Sequence, residues 1–301
     1  MSKPRVAILG VGIMGGGMAG RLLSAGFPLT IYSRNRERAR PFVDAGAALA
    51  GSPREAAAKS EIVISMVADD LASRATWLGE NGALAGAPAN AVLVESSTLT
   101  VPWIRELADT ATRQGCEFLD APVTGSKSQA ASGELLFLVG GSDRALTIAR
   151  PVLSVLGRDI VHFGPTGSGA VMKLINNFMS GVQAASLAEA TAFIRASGID
   201  HDKALSVLIN GAPGSPLVKL LSARANTGDF TPHFVLRLMV KDLAYASEEG
   251  NRYGVTLQTA TAALAVFKQA VANGYGDKDF SAVIDSSSLG GRSITNKIQS
   301  V

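Results

Sequence analysis

Arg5-Val6-Ala7-Ile8-Leu9-Gly10-Val11-Gly12-Ile13-Met14-Gly15 is the stretch on which the fold of this 301-residue chain turns. Arg5–Leu9 predicts a buried strand and Gly15–Ala25 a helix, with a G-x-G-x-x-G run between them. Such a run alone matches by chance. A strand before it and a helix after it are what its mechanics require. Gly10 permits the tight turn, Gly12 lets a pyrophosphate approach the backbone, and Gly15 lets helix and strand pack closely. The N-terminus of that helix then turns free N–H groups and a positive dipole end toward phosphate, and Ile13 and Met14 of the motif are expected cofactor contacts. The competing reading is a purely structural strand–helix turn.

The same alternation continues outward from this turn. Leu29–Tyr32, Ile62–Met66, Ala91–Glu95, Glu117–Asp120, Leu135–Val139 and Asp159–His162 predict further strands. Helical patterns such as Arg36–Ala45 and Val101–Gln114 lie between them. This predicts an α/β domain with a mostly parallel sheet over residues 1–164. Runs as apolar as Ile62-Val63-Ile64-Ser65-Met66-Val67 fit strands covered on both faces. After Gly164-Pro165-Thr166-Gly167-Ser168-Gly169 the pattern becomes helical only, with helices over Ala170–Ser197, His201–Ile209, Leu217–Arg224, Phe234–Gly250 and Leu257–Asn273. An all-helical domain over 165–301 is therefore expected. The polar segment Ser286–Val301 reads as a mobile tail.

Which dinucleotide binds is legible at the end of the second strand. An acid there ordinarily holds the ribose 2′-hydroxyl of NAD. This chain has Ile31-Tyr32-Ser33-Arg34-Asn35-Arg36. A carboxylate would repel a 2′-phosphate, whereas a guanidinium pairs with it. NADP(H) is thus expected in preference to NAD(H), read by Ser33, Arg34 and Asn35 with Arg36 beside them. Arg38 and Arg40 fit a solvated helix start equally well.

Composition narrows the partners. The chain is 47% hydrophobic and 18% charged, with a net charge of +3, and its charges are interspersed. The Arg34–Arg40 cluster suits one or two phosphates rather than a nucleic acid, which would want a broader basic stripe with aromatics. Cys116 is the single cysteine, so no intrachain disulfide forms, and a packed small hydrophobe is its favoured reading. His162, His201 and His233 show no metal-ligand spacing, and no metal is expected. Lys3 and Arg5 ahead of an apolar stretch mimic a secretory signal, but the glycines from Gly10 to Gly17 would weaken such a helix. No stretch approaches ~20 uninterrupted apolar residues, so no membrane span is expected and a cytoplasmic location is the default.

Two further segments carry chemistry. Asp120-Ala121-Pro122-Val123-Thr124-Gly125-Ser126 follows a strand and combines turn formers with hydroxyls, the makings of an anion-binding nest. An ordinary loop fits the same spacing equally well. Lys173 opens the first long helix, and Asn176 and Asn177 follow on the same face. A helical lysine is ordinarily a solvated surface residue. Adjacent asparagines among Leu174, Ile175, Phe178 and Met179 nevertheless need partners if buried. A lysine on that face could exchange a proton with an alkoxide.

Taken together, Gly10–Gly15 with Met18-Ala19, Asp120–Ser126, Gly164–Asn177 and Lys241-Asp242-Leu243 resemble the ordered signatures of the β-hydroxyacid dehydrogenases, over roughly residues 4–285. The resemblance implies a Rossmann domain, a helical C-terminal domain of the 6-phosphogluconate dehydrogenase-like type that supports homodimers or homotetramers, and an active site between domains. It makes Lys173 the catalytic lysine. Thr124, Gly125 and Ser126 would hold a substrate carboxylate, helped by Asn177. Thr98 and Lys241 would contact the cofactor near its nicotinamide, and Met66 and Val67 would line the nucleotide cleft. Ser126-Lys127, Arg34, and Phe234 with Asp242 look most like the NADPH-dependent glyoxylate and succinic semialdehyde reductases of that family, which makes Phe234 and Asp242 candidate substrate residues. Thr124 stands where many relatives have serine, keeping the hydroxyl and adding a methyl.

The activity so implied is hydride transfer between NADP(H) and a small 3-hydroxy acid, semialdehyde or 2-oxo acid. An imine reductase of the same fold is an alternative, though those relatives generally lack the lysine. A non-catalytic dinucleotide-binding protein is another, since fold alone never proves turnover.

Overall fold

The computed structural model describes residues 3–289. These form two compact units, and the division falls between Lys173 and Leu174.

The first unit is built on β1 (Val6–Leu9), α1 (Ile13–Ser24), β2 (Leu29–Tyr32), α2 (Arg36–Asp44), β3 (Ala48–Leu49), α3 (Pro53–Ala58), β4 (Ile62–Ser65), α4 (Asp70–Trp77), β5 (Val92–Glu95), α5 (Val101–Arg113) and β6 (Glu117–Asp120). It continues through β7 (Val123–Thr124), α6 (Lys127–Ser132), β8 (Leu135–Gly141), α7 (Asp143–Leu156) and β9 (Gly157–Gly164). The strands make one sheet in the order β3-β2-β1-β4-β5-β6-β8-β7, with β9 beside β8. From β3 to β6 every pairing is parallel. β8 runs antiparallel to β6 and β7 and parallel to β9. This is the doubly wound order in which the chain crosses over at β1, so ligands bind beyond the carboxyl ends of the strands next to it.

Every residue of β1, β4 and β5 is buried. Val6, Ile8, Ile62, Ile64, Val92 and Val94 share one core with Met18 and Leu22 of α1 and Leu146 and Leu153 of α7. α1 is rich in glycine because other backbone lies against it: a Cβ on Gly17 would stand 2.8 Å from the Ala130 Cβ of α6.

The expected strands are all present, with ends displaced by a residue or two. β3 and β7 are too short to leave an alternating pattern, and β7 lies inside the segment read as a loop. α6 begins directly after it.

The second unit is helical. α8 (Ser168–Ser197) begins before the division and runs into this unit, followed by α9 (His201–Asn210), α10 (Pro216–Thr227), α11 (Leu236–Arg252), α12 (Gln258–Ala270) and α13 (Val283–Leu289). Its core gathers Ala184 and Leu187 of α8, Leu221 of α10, Met239 and Leu243 of α11, Phe267 of α12 and Val283 of α13. Gly181 lets α8 approach α11, since a Cβ there would meet a Leu243 methyl at 2.9 Å.

Two helix ends differ from expectation for identifiable reasons. α11 starts at Leu236 rather than Phe234, because the Phe234 N–H is drawn to the Asp279 carboxylate. α12 stops at Ala270, and the π-helical turn over Val271–Tyr275 that follows is kinked by a left-handed Gly274 (φ 86°). Of the segment expected to be a mobile tail, Ser286–Leu289 is helical, and residues 290–301 lie outside the described residues.

Candidate active site

The three motif glycines are required for three different reasons. Gly10 has φ 99°, a conformation that side chains avoid, and a Cβ on it would lie 2.4 Å from the Met66 carbonyl oxygen. A Cβ on Gly15 would sit 1.9 Å from the Gly10 carbonyl oxygen. Gly12, the N-cap of α1, is different: a Cβ built there meets nothing within 4 Å. Protein packing therefore does not demand its bareness. What the missing side chain leaves is open backbone at a helix start, a shape that fits a pyrophosphate. The first hydrogen bond of α1 runs from Gly16 N–H to Gly12 O (2.8 Å), so the N–H groups of Ile13, Met14 and Gly15 have no acceptor within the helix. The first turn of α1 carries no acid that would repel an anion.

Beyond β2, Ser33 donates its hydroxyl hydrogen bond to the Asn35 carbonyl at 2.8 Å. Asn35 caps α2, its side-chain oxygen accepting from Arg38 N–H at 3.3 Å. That oxygen is committed to the helix, whereas the side chain of Arg34 is exposed. The first acid after it along the chain is Glu37, in the first turn of α2.

At the ends of β4 and β5, Met66 and Val67 border the glycine turn, with a Val67 methyl 3.3 Å from the Cβ position of Gly10. Val67 N–H donates to Ser97 Oγ at 2.8 Å, and Ser97 N–H donates to Glu95 Oε1 at 3.0 Å. Thr98, next along, is half-buried. A carboxylate closing Val92-Leu93-Val94 fits the solvent end of a strand, so nothing local in the sequence marks Glu95 as part of a site. In the structure it is wholly buried.

Asp120 opens the segment that leads to Thr124–Ser126, and the fold gives its side chain a second task. Its Oδ1 accepts from Gly167 N–H and its Oδ2 from Ala170 N–H, both at 2.8 Å. One carboxylate thereby ties the end of β6 to the start of α8, three residues before Lys173. Gly140 leaves room for it, since a Cβ there would lie 2.6 Å from Asp120 Oδ1, and Gly169 lets the backbone of α8 come close, since a Cβ on it would lie 2.3 Å from the Leu138 carbonyl oxygen. Burial pushes the Asp120 carboxyl up to about 6, although backbone N–H groups from Gly167 and Ala170 oppose the shift. In the segment itself Thr124 is half-buried and Gly125 has φ 125°. Ser126 caps α6, and its N–H and hydroxyl both go to Gln129 Oε1, at 2.9 and 2.6 Å.

In the second unit α8 carries Asn177 to α11. The Asn177 amide donates to Asp242 Oδ2 at 2.6 Å, and its oxygen accepts from Asn176 at 2.9 Å. Lys241 Nζ lies 2.7 Å from Asp242 Oδ1 and 4.7 Å from the centroid of the Tyr245 ring. Asn177, Lys241 and Asp242 thus form one cluster in which the buried Asp242 orients the other two. Phe234 packs edge-to-face on Phe280, with centroids 5.4 Å apart. Its N–H and that of His233 both reach Asp279 Oδ2, while Arg224 pairs with Oδ1 at 3.1 Å. Burial pushes the Asp279 carboxyl up, but hydrogen bonds from Ser281, His233 and Phe234 outweigh it and hold the group below its usual range.

Residues 5–164 match the NAD binding domain of 6-phosphogluconate dehydrogenase. Residues 167–287 match the family described as NAD-binding of NADP-dependent 3-hydroxyisobutyrate dehydrogenase. The chain belongs to the β-hydroxyacid dehydrogenase family. Among the relatives of this β-hydroxyacid dehydrogenase, the NAD-dependent L-serine dehydrogenase of Pseudomonas aeruginosa is 32% identical, over 93% of this chain and 96% of its own. Glyoxylate/succinic semialdehyde reductase 1 of Arabidopsis thaliana is 32% identical, over 93% and 97% respectively. The crystal structure of 3-hydroxyisobutyrate dehydrogenase from Salmonella typhimurium superposes with a TM-score of 0.86 at 30% identity, covering 94% of this chain and 99% of that one. This β-hydroxyacid dehydrogenase is an NAD(P)-dependent oxidoreductase with a Rossmann-type domain followed by a helical region. Among its described residues, no helix is long and apolar enough to cross a membrane.

Proposed function

We propose that this enzyme reduces small carboxylate-bearing aldehydes or 2-oxo acids with NADP(H) in preference to NAD(H), and oxidises the matching hydroxy acids in reverse. Glyoxylate, succinic semialdehyde, tartronate semialdehyde and 3-hydroxyisobutyrate define the substrate class. The observation that carries the reading is Lys173, on the first turns of a helix whose start Asp120 ties to the strand leading into Thr124–Ser126.

When bound, the dinucleotide supplies or accepts the hydride. Gly10, Gly12 and Gly15, with the N–H groups of Ile13 and Met14, hold its pyrophosphate. Ser33, Arg34 and Asn35 take the 2′-phosphate, where Arg34 adds a charge-assisted pair. Met66, Val67, Thr98 and Lys241 border the nicotinamide end. Thr124, Gly125 and Ser126 grip the substrate carboxylate. Ser126 does so by exchanging its bond to Gln129. Lys173 Nζ gives a proton to the carbonyl oxygen as it becomes an alkoxide, and takes one from the hydroxyl in the oxidation. Asn177 serves the substrate from the same face of α8. Asp242 acts by holding Asn177, because a buried carboxylate would repel an acidic substrate. Phe234 borders the substrate with an apolar ring.

The enzyme works in the cytoplasm as a homodimer or homotetramer. Phe193 and Val207, 76% and 71% exposed, favour an apolar contact with a second copy. The test is loss of reduced-cofactor absorbance with glyoxylate and with succinic semialdehyde, using NADPH and NADH in parallel. Faster turnover with NADPH supports the reading. Turnover restricted to NADH removes the assignment of Arg34, and tight cofactor binding without turnover removes this substrate class.

A further inference from the structure

We infer that Glu95 is a positioning residue for the bound dinucleotide, acting through Ser97 on the two strand ends that border the glycine turn. The inference rests on the reading that Met66, Val67 and Thr98 line the nucleotide cleft.

Glu95 closes β5 and is 0% exposed. A carboxylate in such a place is costly unless donors surround it. Here Ser73 Oγ and Trp77 Nε1 each donate to Oε2 at 2.7 Å, and Ser97 N–H donates to Oε1 at 3.0 Å. Trp103 Nε1 donates to Ser73 Oγ at 2.9 Å, which turns the Ser73 hydroxyl hydrogen toward Glu95. Burial raises the Glu95 carboxyl above its usual range, while hydrogen bonds from Ser97, Ser73 and Trp77 oppose it.

The network therefore has two sides. One is framework, joining α4 and α5 through Ser73, Trp77 and Trp103. The other leads to the cleft. Ser97 is oriented by Glu95, and its hydroxyl receives Val67 N–H at 2.8 Å. Residue 66, one step back, packs its carbonyl against Gly10 so closely that a Cβ would come within 2.4 Å. Displacing Ser97 consequently moves Val67 and crowds or loosens the phosphate turn. The next residue after Ser97 is Thr98, so one carboxylate sets both strand ends. None of these hydrogen bonds reaches Ser33, Arg34 or Asn35, so the effect is expected to be equal for NADPH and NADH.

The two tryptophans of the chain, Trp77 and Trp103, both belong to this network, and indole emission reports on it directly. The experiment compares Glu95→Gln, Ser97→Ala and Ser73→Ala in the full chain by cofactor Kd, melting temperature and tryptophan emission. In the glutamine variant an amide NH₂ must face at least one of the donors. Glu95→Gln and Ser97→Ala are expected to raise Kd about tenfold or more, by the same factor for NADPH and NADH. Ser73→Ala shifts emission and melting temperature and leaves Kd within about twofold.

Unchanged affinity in Glu95→Gln and Ser97→Ala overturns the inference. So does a loss of affinity that tracks melting temperature across all three variants, which would mark Glu95 as a purely structural residue. If Glu95→Gln does not fold, Ser97→Ala against Ser73→Ala gives the same discrimination. A wild-type chain that binds neither cofactor fails at the functional reading itself, and the inference falls with it.

Discussion

Alanine at Gly10 and alanine at Gly12 should fail in opposite ways, although the two glycines are two residues apart in one motif. At Gly10 the backbone sits at φ 99° and the new methyl would lie 2.4 Å from the Met66 carbonyl oxygen. Backbone strain of about 1–3 kcal/mol adds to a clash with backbone that cannot rotate away, so about 3–5 kcal/mol of stability is lost. For a unit of this size each kcal/mol lowers Tm by about 2–4 °C, giving a fall of about 6–20 °C. At Gly12 φ is −72° and nothing lies within 4 Å of the new methyl. The folded state then loses only the small preference of an N-cap for glycine over alanine, about 1 kcal/mol or less. The methyl instead fills the approach of the pyrophosphate. Losing a single charge-assisted bond of about 1.5–3 kcal/mol there raises Kd roughly 10- to 100-fold. Thermal melting without ligand, and titration with NADPH followed by cofactor fluorescence, separate the two effects. A Gly12→Ala variant that binds NADPH like wild type would refute the assignment of its bare backbone to the pyrophosphate. A Gly10→Ala variant that melts like wild type would refute the strain argument.

Lys173→Ala should lower kcat by about 10²–10⁴ while NADPH still binds, and near-normal turnover would remove the lysine from proton transfer. Arg34→Ala should weaken NADPH by about 1.5–3 kcal/mol and leave NADH almost unchanged; equal weakening of both would show that Arg34 does not read the 2′-phosphate. Asp120 makes stability depend on pH. Its folded value of about 6 lies above the usual 3.8, so folding takes up a proton between the two. The resulting stabilisation is complete below about 3.8 and lost as pH rises through about 6, an amplitude of about 3 kcal/mol. Denaturant unfolding of wild type and Asp120→Asn from pH 4 to 7 should differ by a slope of that sign, and parallel curves would contradict it.

What could be read from the sequence was whatever depends on residues near one another in the chain. β1, its glycine turn and α1 are specified by a few consecutive positions, and buried parallel strands such as Ile62–Ser65 announce themselves as unbroken apolar runs. The acid missing after β2 is likewise a local fact. Short elements escaped, because β3 and β7 hold too few residues to show a period. The partners of buried polar groups escaped for a deeper reason. Asp120 meets Gly167 and Ala170 across about fifty positions, Asn177 meets Asp242 across 65, and Glu95 meets Ser73 across 22. No local pattern encodes such a pairing. A carboxylate that the sequence presents as the polar end of a strand becomes a buried acceptor only when the sheet and helices close around it. The sequence alone determined that a dinucleotide cradle is built and that a lysine stands on the helix after the glycine-rich segment. Tertiary structure decided which carboxylates hold them in place, because those hydrogen bonds exist only once distant segments share one desolvated interior.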